Sequence, residues 1–467
     1  MGALPAIVSF VTRITYADMP AEVVEQTKNI IIDTIGCALA GYITETGQIV
    51  RNVVRDLGGR PECTIIVSGE KNSCVNAAFA NSKMANALDM DDCFMNMVHF
   101  APMTVFTALS LAERVGATGK DLIEAVALGY DIAARVALYG GHIFYTGCHT
   151  FICHIFGSVV SGGKILKLNE EQMMNAIGLA AQCAPAGILK TAPVTWMKYG
   201  DAGLIAGTGI ASCLLAEGGY SATIPTLFEG DDGYWRVMRS VKPNYNALTS
   251  DLAKKWWIME SAIKSYPCCR HNHNAVEMFN KIVKEHSIKL EEIESITIKS
   301  RARLADPERQ WAEQEPKDCY GAQFSIPHCI AMAAFNVPVG PQWQVLKNIN
   351  DHKVREFRKK VKLLADPKAE KVISDQEGEG FPKRMPISIE LIANGKVYHD
   401  RRELAKGDPW SPDTKLSHDK IKEKFVMNAS NVFQNSKIKR IVETLEGIEE
   451  VDHIKELMKL LSQTEVP

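Results

Sequence analysis

Ala77-Ala78-Phe79-Ala80-Asn81-Ser82-Lys83-Met84-Ala85-Asn86-Ala87-Leu88-Asp89-Met90-Asp91-Asp92 is the run from which the fold can be read. Small apolar residues recur in it at helical spacing, and three carboxylates close it. Small side chains let helices touch closely, so the run predicts one helix among several. The same texture extends from Pro20 to about Gly219, with helix-period segments over 22–40, 77–88, 104–115, 120–138 and 170–181. Thr118-Gly119-Lys120-Asp121 opens one of them, and Asn169-Glu170-Glu171-Gln172 has the form of a capping box, an N-cap Asn with Gln at the third helical position. Gly140-Gly141 and Gly218-Gly219 are joints.

After about Ala262 the pattern changes. A helix over 274–287 is followed by apolar-polar alternation over 293–299, a second helix over 327–335, and strand candidates over 361–364 and 387–392. Asn394-Gly395 between two such runs is a strong hairpin signal. Helical patterning returns over 420–431 and 438–461. The expected fold is therefore mainly α with an α+β second domain. A large discontinuous all-helical domain spans 1–262, with 405–467 packing back on it, and a smaller α+β lid domain spans 263–404.

A chain of 467 residues is too long for one ordinary core, and two domains imply a cleft. With 46% hydrophobic and 23% charged residues and a net charge of −2, no global field attracts nucleic acid or an acidic membrane. The basic clusters at 355–362 and 420–424 lie in charge-mixed helical stretches and read as solvated faces. Apolar runs stop well short of the ~20 residues a bilayer needs. The N-terminal residues lack the features of an export signal, so the expected location is cytoplasmic. Twelve scattered cysteines without a Cys-x-x-Cys spacing fit buried thiols of a reducing compartment, and count against iron–sulfur clusters and zinc ribbons.

Three stretches carry chemistry. In the first, the acids Asp89, Asp91 and Asp92 are followed by Cys93 and, in an apolar loop, by His99. Acids at a helix C-terminus oppose its dipole, which favours a functional origin, and a histidine that titrates near neutrality suits proton transfer. The blander alternative makes Asp91 and Asp92 solvated loop acids and His99 a satisfied loop histidine. The second stretch, Cys148-His149-Thr150-Phe151-Ile152-Cys153-His154, has two Cys-His pairs. Adjacent ligands from one short run suit tetrahedral zinc poorly, so His149, at a helix entrance, reads better as an anion holder or proton carrier. The following 157–164 has no Gly-Lys-Ser/Thr ending and is not a phosphate loop. The third stretch, Lys264-Ser265-Tyr266-Pro267-Cys268-Cys269-Arg270-His271-Asn272-His273, gathers cations, a phenol and two histidines at the proposed domain junction. A nucleophilic cysteine is conceivable there, but Lys and Arg at a cleft fit a ligand with two or three carboxylates better. Weaker signals are Lys198, in 196–202, and His328, in 323–328.

In their order along the chain, these stretches resemble the MmgE/PrpD family, which contains 2-methylcitrate dehydratase, cis-aconitate decarboxylase and iminodisuccinate epimerase. The resemblance runs nearly end to end and includes Ile32-Asp33-Thr34-Ile35-Gly36-Cys37, Leu88-Asp89-Met90-Asp91-Asp92, 109–116 and 266–273. It implies a helical domain, an α+β lid, a site in the cleft between them and, usually, a homodimer. By position, Asp89 and His99 match the family's first active-site acid and the histidine after its aspartate motif, and Lys264 matches a lysine from the lid. His328 falls where many relatives have tyrosine, and Lys198 where a histidine is common. Thr150 follows His149 where proline is usual, Thr195 replaces a lysine, and Cys93 replaces a threonine.

The resemblance implies a lyase on a small di- or tricarboxylic acid, working by acid/base chemistry with no metal and no cofactor. Dehydration of a 2-methylcitrate-like substrate is the main expectation, with a decarboxylase, an epimerase or a catalytically silent scaffold as alternatives. The expected catalytic groups are Asp89, His99, Lys264 and His328. His99 exchanges the carbon-bound proton, with Asp89 orienting it, and His328 or Tyr266 protonates a leaving hydroxyl. Asp92, Cys93, His149, Lys198, Tyr266, Arg270, His271 and His273 complete the expected substrate-binding set, with Lys264, Arg270 and His149 holding carboxylates. The expected partner is a small carboxylate, with no nucleic acid and no membrane.

Overall fold

The computed structural model describes residues 2–141, 150–184, 201–240, 242–306, 313–377 and 381–462. The helices that frame the first part are α1 (Ala3–Arg13), α2 (Ala21–Gly41), α3 (Glu45–Leu57), α4 (Cys74–Asn86), α5 (Ala101–Val115), α6 (Gly119–Gly140), α7 (His154–Ile165), α8 (Glu170–Gln182) and α9 (Ala202–Glu217). Side-chain caps start many of them: Ser73 accepts from the Asn76 amide at α4, and capping boxes at Thr118/Asp121 and Asn169/Gln172 open α6 and α8. From Ile30 to Gly41 every side chain of α2 is buried, making it a central helix with neighbours on all sides. Where α2 ends it meets α4 at backbone distance, because a Cβ built on Gly41 would lie 1.9 Å from the Met84 carbonyl oxygen.

α4 stops at Asn86, earlier than the 77–88 pattern predicts. Asp89 then takes a left-handed φ of 53°, which turns the chain out of the helix. The carboxylates therefore lie beyond the helix end rather than on it. Asp92–Phe94 forms β1, paired antiparallel with β2 (Ser261–Ile263), with Asp92 opposite Ile263. That pairing carries Lys264 to the acidic motif.

The second hydrophobic cluster is built on a four-stranded sheet of β3 (Ile293–Ser300), β4 (Val361–Ala365), β5 (Ile387–Ala393) and β6 (Lys396–Arg402), in the order β4-β3-β5-β6. Only β3 and β4 are parallel. Ile296, Ile298, Ile389 and Leu391 cluster with Val276 and Phe279 of α10 (His273–Glu285) and Ile330 of α11 (Ile326–Ala334). Asn394 and Gly395 both have positive φ, 51° and 68°, as the tight β5–β6 turn requires. The chain is thus mainly α with an α+β unit.

After β6 the chain returns to the first cluster through α12 (His418–Ala429), α13 (Asn435–Glu446) and α14 (Ile454–Leu460). Ile421, Phe425, Ile441 and Leu457 share a core with Leu39 and Phe106. The single helical stretch read over 438–461 is interrupted at Gly447, where the chain crosses the start of α6 and the Gly119 amide donates to Val451 at 2.8 Å. Gly407, at φ 97°, accepts from the Ile263 amide at 3.1 Å, and a Cβ there would lie 1.9 Å from the Ile263 oxygen, so the returning chain braces β2. Among the described residues no helix is long and apolar enough to cross a membrane.

The Gly41 contact is tested by Gly41→Ala. The methyl must push α2 from α4, and thermal unfolding of the variant should show a loss of about 1–3 kcal/mol; an unchanged transition would mean that the two helices separate freely.

Candidate active site

Asp89, Asp91, His99 and Lys264 are brought together in a fully enclosed cluster. The left-handed turn at Asp89 points its carboxylate at Lys264, whose Nζ donates to the Asp89 carbonyl at 2.9 Å and to Oδ1 at 2.5 Å. His99 lies between two carboxylates. Its Nδ1 is 3.2 Å from Asp91 Oδ2 and its Nε2 is 3.7 Å from Asp89 Oδ1. An Nδ1–H donating to Asp91 leaves the Nε2 lone pair on the side of Asp89. Asn86, in the last turn of α4, donates from Nδ2 to the same Asp91 oxygen at 3.0 Å.

Burial lowers the affinity of His99 for a proton and the Lys264 charge lowers it further, against the opposing pull of Asp91 and Asp89. For Lys264 burial works against the charge, but Asp89 and Asp91 hold the ammonium above the ordinary lysine value. The ligand atoms of Asp89, Asp91 and His99 lie within 4.8 Å of one another, a grouping that would suit a cation. Lys264 already brings positive charge to Asp89, so the donor set is balanced by an ammonium.

Asp92 faces away from this cluster. It accepts the Tyr130 hydroxyl at 2.7 Å and the amides of Phe100 and Ala101 at 3.3 and 3.0 Å, tying β1 to the start of α5 and fixing the loop that carries His99. Burial and the nearby Asp91 push its carboxyl up, against those three donors. Cys93 is in the middle of the β1–β2 pairing, opposite Ala262, and burial pushes its thiol up. Both therefore hold structure, where the sequence reading had them binding substrate.

The remaining expected residues scatter. Arg270 is committed to Asp408, from Nε at 3.1 Å and through Nη2, and to the carbonyls of Lys406 and Ala405 at 2.8 and 2.9 Å. It clasps the returning chain rather than offering a free guanidinium to a carboxylate. His273 reaches the Cys268 carbonyl at 3.3 Å and stands 3.3 Å from Arg270 Nη1; burial, then Arg270 and Lys264, keep it neutral. Tyr266 stacks on Trp343, with ring centroids 5.7 Å apart, and burial lifts its phenol to about 12. His271 is half-buried in the turn before α10. Cys268 is enclosed and its thiol is pushed well up by burial, which removes the thiolate that a nucleophile needs.

His328 departs furthest from expectation. Its Nε2 lies 2.7 Å from the Trp343 carbonyl and Nδ1 is 3.5 Å from Arg358 Nη1, and burial lowers its pKa to about 4. An imidazole held in this way is a core histidine, unsuited to protonating a leaving hydroxyl. His149 and Lys198 lie outside the described residues.

Sequence reasoning missed Asp91 as a partner of His99: it counted Asp91 among the acids of the motif without giving it a role in the site. It also missed two glutamines that join the α+β unit to the motif. Gln323 donates to the Ala87 carbonyl at 2.8 Å, and Gln344 to those of Leu88 and Pro267 at 2.8 and 2.7 Å. Asp91 stood in the sequence as one of three acids of the motif, but the side it faces is set by the left-handed turn at Asp89, which spacing does not show. Nothing in the sequence marked Gln344.

Known proteins are similar to this chain over most of its length. The model of the MmgE/PrpD N-terminal domain matches residues 5–245, and that of the MmgE/PrpD C-terminal domain matches 266–449. Among similar proteins, the cis-aconitate decarboxylase of Aspergillus terreus is 24% identical, over 99% of this chain and 96% of that protein. The cis-aconitate decarboxylase of Homo sapiens is 22% identical over 95% and 91%, and that of Mus musculus 24% over 94% and 89%. Two family models that together cover most of the chain show that it belongs to the MmgE/PrpD family.

Proposed function

We propose that this protein is a lyase that decarboxylates a small unsaturated tricarboxylic acid of the cis-aconitate type. The observation that carries the reading is the His99 imidazole held between Asp89 and Asp91 beside Lys264, in a chain whose relatives are named cis-aconitate decarboxylases. The dehydration expected from sequence is less well supported, because it needs an acid for the departing hydroxyl and His328 is tied to Trp343 and Arg358.

In the proposed reaction the bond to one carboxylate breaks and carbon dioxide leaves. The electron pair it leaves behind moves through the adjacent double bond to the carbon next to a second carboxylate. His99, entering as imidazolium, places its proton there from Nε2, and Asp91 stabilises the imidazolium beforehand. Lys264 supplies positive charge toward the carboxylate over which the electron pair is spread. Enclosure of the cluster strengthens each of these charges by excluding water. Asp92 and Tyr130 act at one remove, by fixing the His99 loop.

With cis-aconitate as substrate, His99→Gln should lower kcat by about 10²- to 10⁴-fold, with the same thermal transition as the natural chain. Full turnover by that variant would end the reading. Asp91→Asn keeps the shape but withdraws the charge that stabilises the imidazolium, and a loss of about 10²-fold in kcat at little cost in KM is expected.

The pH profile distinguishes the candidate reactions. A decarboxylase needs His99 protonated, and burial together with Lys264 places its pKa below the ordinary histidine value. Its kcat/KM should therefore fall as pH rises through that lowered pKa. A dehydratase or epimerase using His99 as a base would show the opposite slope. Preferential consumption of 2-methylcitrate, with activity rising with pH, would replace the decarboxylase by the hydro-lyase.

A further inference from the structure

One buried ion pair near the site has no part in the mechanism above. Asp33, in the middle of α2, and Lys424, in α12 of the returning chain, are both enclosed, with Nζ 2.6 Å from Asp33 Oδ1. The same ammonium donates at 2.6 Å to the carbonyl of Met90, the residue between Asp89 and Asp91. Lysine and carboxylate are rarely buried this completely unless paired, and a pair with no further task could be replaced by apolar groups without loss. The third contact gives this pair a task. Met90 follows the left-handed turn at Asp89, where the backbone has no ladder partner of its own until β1 begins at Asp92. Lys424 supplies that partner, and Phe425 beside it packs within 3.0 Å of where a Gly36 Cβ would stand, so α12 is seated firmly on α2.

We propose that Asp33 and Lys424 are positioning residues: the pair fixes the Met90 carbonyl between the two carboxylates that hold His99, and its charges set how tightly that imidazole keeps its proton. Charged and titratable groups that act on Asp91 or His99 include Asp33 and Cys37 from α2, Asp89 and Asp92 from the motif, Lys264 after β2, and Lys424; Cys93 and Tyr130 face Asp92. His154 from α7 stacks edge-on against Phe100, next to His99. Within this set Lys424 is the cation bonded directly beside Asp91, so it draws on the same negative charge that His99 uses. Burial works against the Lys424 charge, yet Asp33 holds the ammonium above the ordinary lysine value, so it stays charged across the working pH range.

The inference rests on His99 being the acid/base group, and it is tested without substrate. Histidine ring signals of the full chain are titrated by NMR, with His99 identified by its absence in His99→Gln. Three chains are compared: the natural one, Asp33→Asn and Asp33→Asn/Lys424→Met. In Asp33→Asn the ammonium is left to Asp91 alone, and the His99 midpoint should fall. In the double variant the remaining charge is gone, at the cost of the donor to the Met90 carbonyl and to the side chain at position 33, and in the folded chain the midpoint should recover by at least about half a pH unit relative to Asp33→Asn. Equal midpoints in folded chains would overturn the proposal. Should Asp33→Asn alone fail to fold, Lys424→Gln, which removes only the cation, is titrated against the natural chain: a raised His99 midpoint supports the proposal and an unchanged one overturns it. A failed decarboxylase assay with the expected titration would count against the substrate and leave this inference standing.

Discussion

Charge buried in an apolar helical interior is the constraint on which the rest of the structure depends. Asp33, Asp89, Asp91 and Asp92 are all enclosed, together with Lys264 and Lys424. Each isolated charge would cost several kcal/mol to bury, so these groups are tolerable only as a connected set with donors placed to within tenths of an ångström. That demand accounts for features that are otherwise odd. It explains the left-handed φ at Asp89, which turns a carboxylate back toward Lys264, and the three-residue pairing of β1 with β2, too short to matter as a sheet, which delivers that lysine.

The same demand explains why distant parts of the chain converge on one motif. Lys264 comes from the junction between the two clusters, Gln344 from the turn Pro341–Gln344 of the α+β unit, and Lys424 from the helix that returns to α2. Each bonds a backbone or side-chain oxygen between Leu88 and Asp91. A cluster tied from three parts of the chain is held in place, as the proposed proton transfer requires. It also depends on backbone contacts that only glycine permits, at Gly41 under α4 and at Gly407 against Ile263.

Much of the fold was legible in the sequence because its signals are local. The small-residue helices, the capping boxes at Thr118 and Asn169, and the Asn394-Gly395 hairpin rest on interactions within a few residues of chain. The break at Gly447 was not legible, because its cause is a backbone contact with Gly119, more than three hundred residues away. Likewise the helix before the acids ends at Asn86, not Leu88, and the left-handed turn at Asp89 that follows faces Lys264.

For the site, the sequence by itself determined which residue types were present and that acids, a histidine and cations would matter. It singled out Asp89 and His99 as an acid and a histidine flanking apolar stretches, and Lys264 as a cation at the domain junction, and these three side chains do meet in the structure. Which cation meets which anion was decided only by tertiary structure. Arg270, read as a substrate clamp, is bound to Asp408, and His328, read as an acid, is bound to the Trp343 carbonyl. Asp91, given no role in the site from sequence, is the partner of His99. Coulomb and hydrogen-bond energies depend on separations of a few ångströms in space, and sequence spacing carries no such distance once the chain has turned.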